Sequence, residues 1–309
     1  MKLIYNERYN FDLGLLKYLH PFEGTKFRAI YDSLKSNPSV DIVSPSGPIS
    51  VKVVDEFLSG VMQHRVRNKN GVLNALEVPR IPLISYAYLE KRVLEPMRWA
   101  VAGTLLGAEE VLKAGGVAWN LGGGYHHAMQ KNMEGFCIYN DIGICVQQLT
   151  KSGLLSSEDK ILIIDTDAHH GNGNAYAFME NSNVTLLDVY NSAAYPTSSF
   201  TRERVNISVP LKPGTEGKEY LEELTSALSK IESGFKLAFV VAGTDVLASD
   251  KLGGFKLTID DVAKREKITL DTLKASSIPA VVLGGGGYSK DSAKAVFAAV
   301  EGCVELTKS

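Results

Sequence analysis

The sequence has few cysteines, no long apolar run and almost no net charge, and each shortage excludes a class of protein. Three cysteines among 309 residues, none in a CxxC pair, predict neither a disulfide framework nor a cysteine zinc site. A net charge of −2 argues against direct nucleic-acid binding. No apolar run approaches the ~20 residues of a membrane span, and the first residues do not resemble a signal peptide. We expect a cytoplasmic protein (nucleocytoplasmic in a eukaryote) that is not secreted.

Short apolar runs alternate with helical patterns along most of the chain. Several runs are continuous in Val, Ile and Leu, which is typical of a parallel sheet covered on both faces. The predicted strands are Lys2–Tyr5, Val117–Leu121, Ile161–Asp165, Val184–Val189, Val205–Val209, Ala238–Ala242 and Ala280–Leu283. The predicted helices are Thr25–Ser36, Leu94–Ala114, Asp141–Thr150, Lys218–Ile231, Ile259–Ala275 and Ala293–Leu306. The alternation predicts an α/β fold, a single open three-layer sandwich with a mostly parallel sheet, in one domain over residues 1–309.

Polar or glycine-rich segments follow five of the predicted strands. These segments are "NLGGGYHH", "DTDAHHGNG", "DVYNSAAYP", "AGTD" and "GGGGYSK". The carboxyl ends of parallel strands gather along one edge of an open sheet, where ligands bind. The five segments are therefore expected to form one site. No chemistry is assigned to residues 40–92, where periodicity is weakest.

Asp167 and His169 are candidate metal ligands. Residues i and i+2 after a strand share a face, and carboxylate and imidazole are both zinc ligands. A catalytic zinc site needs three protein ligands, and Asp245 at another strand end is the natural third. In the alternative interpretation, Asp165 and Asp167 cap the next helix and His169 is a loop histidine.

His126 and His127 form a second candidate group. Histidine titrates near neutral pH, so neighbouring imidazoles beside a metal suit acid–base catalysis. Asp165 and Asn172 could accept hydrogen bonds from their second ring nitrogens. The alternative is a structural pair in a tight loop, and for His170 a structural hydrogen bond is the expected use.

Tyr288 follows four glycines after a predicted strand. Such glycines could form a phosphate loop, but the sequence has no GxxxxGK[ST] motif, and "GNGNAY" does not fit GxGxxG. The glycines could instead let Tyr288 donate a hydrogen bond to a developing oxyanion. Phe136 and Tyr195 lie in adjoining segments and are either core or channel residues.

Taken together, these segments resemble the zinc-dependent histone deacetylase family of the arginase–deacetylase superfamily. The matching pieces are "GGGYHHA", "EGFCIYND", "IIDTDAHHGNG", "AGTDVLASDKLGG" and "GGGGY", which occur in order between residues 121 and 288. The segments "LHPFEGTKF", "LLDVYNSAAYP" and "AGTDVLASDKLGGFKLT" look most similar to the class IV branch of small single-domain deacylases.

The resemblance implies a role for each matching position. Asp167, His169 and Asp245 match the zinc ligands. His127 matches the main general base and His126 an electrostatic partner, while Tyr288 matches the tyrosine that polarises the scissile carbonyl. Asp165 and Asn172 match the groups behind the two histidines.

Two further sets are implied. Gly135, Phe136 and Tyr195 match the walls of the acyl-lysine tunnel. The family also has an inner potassium site, bound partly through backbone oxygens. The positions that match it are Asp165, Asp167, His169, Asp188 and Val189. One position departs from class I, because Asn172 stands where class I has aspartate. An amide stabilises an imidazolium less than a carboxylate does, so the resting charge of His127 is expected to be lower.

The implied function is hydrolysis of acyl-lysine in a protein or peptide, with Zn²⁺ as catalytic and K⁺ as structural ion. The acyl group is acetyl or, in a class IV-like enzyme, a long fatty acyl chain. Three alternatives stay open: a small-molecule amidohydrolase such as an acetylpolyamine deacetylase, a binuclear manganese hydrolase of the arginase type, and a non-catalytic acyl-lysine reader.

Overall fold

Eight parallel strands form one open sheet in the computed structural model, which describes residues 1–11, 14, 18 and 21–304. The strands are β1 Lys2–Ile4, β2 Asp41–Val43, β3 Val117–Asn120, β4 Lys160–Asp165, β5 Val184–Asn191, β6 Ile207–Leu211, β7 Phe235–Val241 and β8 Ala280–Leu283. Their order is β2-β1-β3-β8-β7-β4-β5-β6, and every pairing is parallel. The predicted fold class is confirmed.

Helices cover both faces of this sheet. They are α1 Lys26–Leu34, α2 Val51–Phe57, α3 Gly60–Val66, α4 Lys69–Ala75, α5 Tyr86–Leu89, α6 Glu95–Ala114, α7 Asp141–Lys151, α8 Asn172–Ala177, α9 Ser199–Arg202, α10 Gly217–Leu228, α11 Ile259–Ala275 and α12 Ser292–Val304. Glu7–Tyr9 forms a 3₁₀ turn, and Glu90–Leu94 forms a π turn that leads into α6. Among the described residues, no helix is long and apolar enough to cross a membrane.

Successive residues of each strand pack on opposite faces, which builds the three layers. In β4, Ile163 belongs to one apolar cluster with Val111 of α6 and Leu149 of α7. Its neighbour Ile164 belongs to the other cluster, which includes side chains of α10 and α11. A continuous apolar strand is therefore needed, because neither face of β4 meets water.

The seven predicted strands are all present, and their ends differ from the prediction by at most three residues. The largest single shift is at β7, which begins at Phe235 rather than Ala238, while β6 spans Ile207–Leu211 rather than Val205–Val209. Strand β2 and helices α2–α5, α8 and α9 were not among the predicted elements, since each of them has at most seven residues. Residues 305–306 of the last predicted helix, and 19–20 of "LHPFEGTKF", lie outside the described residues.

The sheet order explains why the five segments meet. β3, β8, β7, β4 and β5 are consecutive neighbours, and each is followed by one of the polar or glycine-rich segments. Their carboxyl ends therefore form an unbroken stretch of one sheet edge.

A buried ion pair supports this edge from α11. Arg265 and Glu266 are both fully buried, and Arg265 Nε donates to Glu266 Oε1 at 2.9 Å. Arg265 Nη1 also donates at 2.8 Å to the carbonyl of Thr166, the first residue after β4. The pair thus anchors the start of the segment that carries Asp167 and His169.

Arg265→Ala should lower the free energy of unfolding by ~3–5 kcal/mol, because it leaves the Glu266 carboxylate buried without its partner. Urea unfolding followed by circular dichroism measures this change. The control is Lys264→Ala, whose exposed pair with Asp260 should matter little. Equal unfolding midpoints for the two variants would contradict the buried-pair explanation.

Candidate active site

Asp167, His169 and Asp245 form a tight cluster of potential metal ligands. One ligand atom of each lies within 4.8 Å of the others. His169 Nδ1 is 2.8 Å from Asp245 Oδ2 and 3.1 Å from Asp167 Oδ1. Both carboxylates are fully buried, while the His169 side chain keeps 12% of its surface exposed. The donor set of two carboxylates and one imidazole, partly open to solvent, fits a catalytic zinc site.

Backbone amides fix the two carboxylates of this cluster. Gly286 N donates to Asp167 Oδ2 at 2.7 Å, and Ala168 N donates to Asp245 Oδ1 at 2.9 Å. A Cβ at Gly286 would lie 2.7 Å from an oxygen of each carboxylate, so only glycine allows this approach. Burial alone would lower the pKa of His169, but the two carboxylates raise it to about 11. This excess of negative charge also suits a bound cation.

His126 and His127 lie side by side next to this cluster, with ring centroids 4.0 Å apart. Asp165 Oδ2 is 2.8 Å from His126 Nδ1, and Asn172 Oδ1 is 2.7 Å from His127 Nδ1. Burial opposes charge on His126, yet Asp165 and Asp167 raise its pKa to about 9. Burial, together with the neighbouring His126 and His169, holds the pKa of His127 well below its usual range. The pKa values of the two neighbouring imidazoles are therefore shifted in opposite directions.

A tight turn at residues 134–137 brings Gly135 against His127. Gly135 and Phe136 both have positive φ, +55° and +65°, and Cys137 N donates to the Glu134 carbonyl at 2.9 Å. This is the backbone pattern of a type I′ turn. Glu134 Oε1 accepts a hydrogen bond from Asn172 Nδ2 at 2.6 Å. Sequence reasoning overlooked Glu134, although it begins the quoted segment "EGFCIYND".

The ring of Tyr288 packs edge-on against that of Phe136, with centroids 5.6 Å apart. Asp250 Oδ2 accepts from Tyr288 N at 2.7 Å and so fixes this backbone. Burial, and then the Asp245 and Asp167 carboxylates, raise the pKa of the Tyr288 hydroxyl well above its usual value, so it stays a donor.

Lys26 is a second residue that sequence reasoning overlooked. Its side chain is buried, and Nζ donates at 3.3 Å to the carbonyl of Gly287, next to Tyr288. Burial lowers its pKa to about 8 despite the carboxylates of Asp245 and Asp167. The only sequence signal was its position in "LHPFEGTKF".

The residues matched to a potassium site include Asp167 and His169 of the cluster, together with Asp165, Asp188 and Val189. Asp165 and Asp188 are register partners on β4 and β5, so two buried carboxylates stand side by side. Asp188 Oδ1 is buried without a hydrogen-bond partner, which fits a ligand for a cation. Val189 is the next residue of β5. His170 is hydrogen-bonded at both ring nitrogens, to Asp188 and Thr201, as its expected structural use requires.

The helix-cap interpretation of Asp165 and Asp167 is wrong. Helix α8 begins after Gly171 and has no side-chain cap. The Asp165 carboxylate contacts His126 instead, and that of Asp167 contacts His169 and Gly286.

Two cavities meet at His127 and Tyr288. The outer one opens to solvent beside His169, Phe136 and Tyr195, whose side chain is 45% exposed. The inner one lies beyond His126 and His127 and has apolar walls, formed by Phe11, Phe22, Phe27, Leu76, Val93 and Met97. His127, Gly135, Phe136 and Tyr288 line both cavities. The aromatic residues Phe136 and Tyr195 are thus cavity walls rather than core.

The sequence was compared with known proteins. The model of the histone deacetylase domain matches residues 20–303. The chain is 30% identical over 305 residues to Histone deacetylase 2 of Arabidopsis thaliana, covering 97% of this chain and 78% of that protein. It is 27% identical over 293 residues to acetoin utilization protein AcuC of Bacillus subtilis, covering 87% and 73%. Several relatives are matched over less than two thirds of their own length, among them histone deacetylase clr6 of Schizosaccharomyces pombe, at 31% identity over 61% of this chain and 47% of that protein.

We expect the purified protein to bind one zinc ion per chain. Asp245→Asn changes a proposed ligand and should weaken zinc binding by more than the ~10–100-fold that is typical when a group that only supports a ligand is removed. Metal content after dialysis, measured by inductively coupled plasma mass spectrometry, tests both statements. Asp260→Asn, which changes an exposed carboxylate on α11, should retain the metal. Two manganese ions per chain would overturn the zinc assignment.

Proposed function

Since the chain belongs to the histone deacetylase family, we propose that it is a zinc-dependent hydrolase that removes acyl groups from lysine side chains. Family membership makes it a deacetylase hydrolase; the metal, the lysine substrate and the acyl group are parts of the proposal. The observation that carries it is the meeting of three potential metal ligands, the histidine pair and Tyr288 at two joined cavities.

Asp167, His169 and Asp245 would hold the zinc. When bound, the metal would acidify water and polarise the amide carbonyl. A potassium ion is proposed beside Asp165, Asp167, His169, Asp188 and Val189, supported by the buried, unpaired oxygen of Asp188. A cation there would offset the repulsion between the neighbouring carboxylates of Asp165 and Asp188.

His127 is the proposed general base and then acid. Its Nδ1 is engaged by Asn172, which leaves Nε2 to take a proton from the attacking water and return it to the departing lysine amine. The low pKa of His127 keeps Nε2 available as an acceptor. His126, held by Asp165, would act mainly through its positive charge.

The Tyr288 hydroxyl is the proposed donor to the oxyanion that forms from the amide carbonyl. A single donor of this kind typically contributes ~10²–10³ in rate. Asp250, through the backbone amide, and Lys26, through the Gly287 carbonyl, support the segment that carries the tyrosine.

The two cavities support an extended acyl-lysine substrate. The lysine stem would cross the outer cavity between Phe136 and Tyr195, and a long acyl chain would continue into the apolar inner cavity. Each buried methylene contributes ~0.8 kcal/mol. We therefore propose a preference for long acyl chains and a class IV character. We also propose a cytoplasmic location, since three buried free cysteines suit a reducing compartment.

One lysine peptide carrying acetyl, octanoyl or myristoyl, assayed beside acetylputrescine, tests the substrate proposal. We expect kcat/KM to rise with acyl length, by roughly fourfold for each methylene that is buried. His127→Ala serves as the blank, and its turnover should vanish on every substrate. Clear preference for acetylputrescine would favour the polyamine alternative, and absence of turnover with zinc bound would favour an acyl-lysine reader.

Gly135→Ala should reduce kcat by up to ~10²-fold, because a Cβ at this position would lie 2.4 Å from His127 Cδ2 and displace the ring. The positive φ of Gly135 adds strain for any other residue. Steady-state kinetics on the best acyl peptide measures the loss. Gly47→Ala is the matched control, since its added Cβ meets nothing within 4 Å; a similar loss there would contradict the steric explanation.

A further inference from the structure

We propose that Glu134 is a positioning residue for His127, acting through the side-chain amide of Asn172. Glu134 holds the amide so that its oxygen faces His127, and its carboxylate supplies the negative charge that the amide lacks. The inference rests on the proposed function only in its assumption that His127 transfers protons.

The three side chains form a continuous chain of short hydrogen bonds. His127 Nδ1 is 2.7 Å from Asn172 Oδ1, and Asn172 Nδ2 is 2.6 Å from Glu134 Oε1. The other carboxylate oxygen, Glu134 Oε2, accepts from Asn132 Nδ2 at 2.5 Å. Both carboxylate oxygens are thus fixed by side-chain amides.

The charge of Glu134 determines which way the amide of Asn172 points. An ionised carboxylate only accepts hydrogen bonds, so Asn172 must direct its NH₂ group towards Glu134. The amide oxygen then faces His127, whose Nδ1 must carry the proton. That leaves the lone pair of the imidazole on Nε2, the tautomer that a general base at this position needs.

The backbone is also arranged to put Glu134 in this place. Glu134 is the first residue of the turn in which Gly135 and Phe136 adopt positive φ. A non-glycine residue in this conformation costs ~1–2 kcal/mol. The amide of Phe136 donates to the carbonyl of Ala75 at 3.0 Å, which fixes the turn against α4. One turn therefore shapes the cavity wall and orients the carboxylate.

The Glu134 carboxylate compensates for the lack of negative charge on Asn172, the residue that binds His127 Nδ1. When His127 takes a proton, an amide oxygen stabilises the imidazolium less than a carboxylate would. Hydrogen bonds in a chain polarise one another, so the Glu134 carboxylate increases the negative charge on Asn172 Oδ1. An aspartate at position 172 would do this directly, but beside Glu134 it would place two carboxylates in contact, and one would have to take a proton.

The activity test is a double-mutant cycle between these two positions on the zinc-loaded protein. Glu134→Ala should reduce kcat ~10–100-fold, the range typical of groups that support a catalytic site, with KM within about twofold. Asn172→Asp should reduce kcat when Glu134 is present but increase it in the Glu134→Ala background. Glu77→Gln removes another carboxylate from the wall of the outer cavity. Its effect on kcat should be at least tenfold smaller than that of Glu134→Ala. If Asn172→Asp changes kcat in the same direction with and without Glu134, the inference is overturned. A Glu134 with only a structural role would not reverse the direction of that change.

The tautomer of His127 gives a readout that does not need turnover. The measurement is an NMR spectrum of zinc-loaded protein labelled with ¹⁵N at histidine. The His127 signals are identified as those that are absent from the spectrum of His127→Ala. The wild type should show Nδ1 protonated and Nε2 unprotonated, and Glu134→Ala should show a second form with the proton on Nε2. Glu134→Gln has the same shape but can donate as well as accept, and it covers the case in which the alanine variant fails to fold. It should also show the second form and lose kcat. An unchanged His127 spectrum in folded Glu134→Ala overturns the inference. A wild type without turnover on any acyl-lysine would instead overturn the proposed function, and the spectra would still decide the role of Glu134.

Discussion

Mutual repulsion among buried carboxylates is the constraint on which the rest of the site depends. Asp165 is the last residue of β4 and pairs with Asp188 within β5, while Asp167 and Asp245 lie in the loops after β4 and β7, and all four are buried. Charges at such positions are very costly unless they are paired. Three histidines, backbone amides of the loops after β4 and β8, and the proposed cations each compensate part of this charge. The site is thus a balanced set of charges rather than a row of independent ligands.

The sheet order is what makes this compensation possible. β8 lies between β3 and β7, so the loop after β8 brings Gly286 onto Asp167 while the loop after β3 brings His126 onto Asp165. Groups that are 119 and 39 residues apart in the chain become hydrogen-bonding neighbours. Because packed strands fix their ends firmly, the ligands are held in place before any substrate arrives.

The sequence was most informative where chemistry and strand periodicity coincide. "DTDAHHGNG" follows a continuous apolar strand, so both its place at the sheet edge and its pairing with Asp245 could be predicted. Residues 40–92 could not be, since their elements are too short to show a period, although Ser50, Ser59 and Asn68 cap three of the helices. Glu134 and Lys26 were missed for another reason: a single charged residue looks like surface until the fold shows what it touches.

The central position of β8 has a consequence for how the protein is made. This strand is the last of the eight in the chain, yet its neighbours β3 and β7 are not paired to each other without it. During synthesis, the β2-β1-β3 and β7-β4-β5-β6 portions could each form, but they would stay separate until residues 280–283 left the ribosome. The metal ligands on β4 and β7 would be exposed to solvent in the meantime. Closing the sheet and completing the site would therefore be one and the same late event.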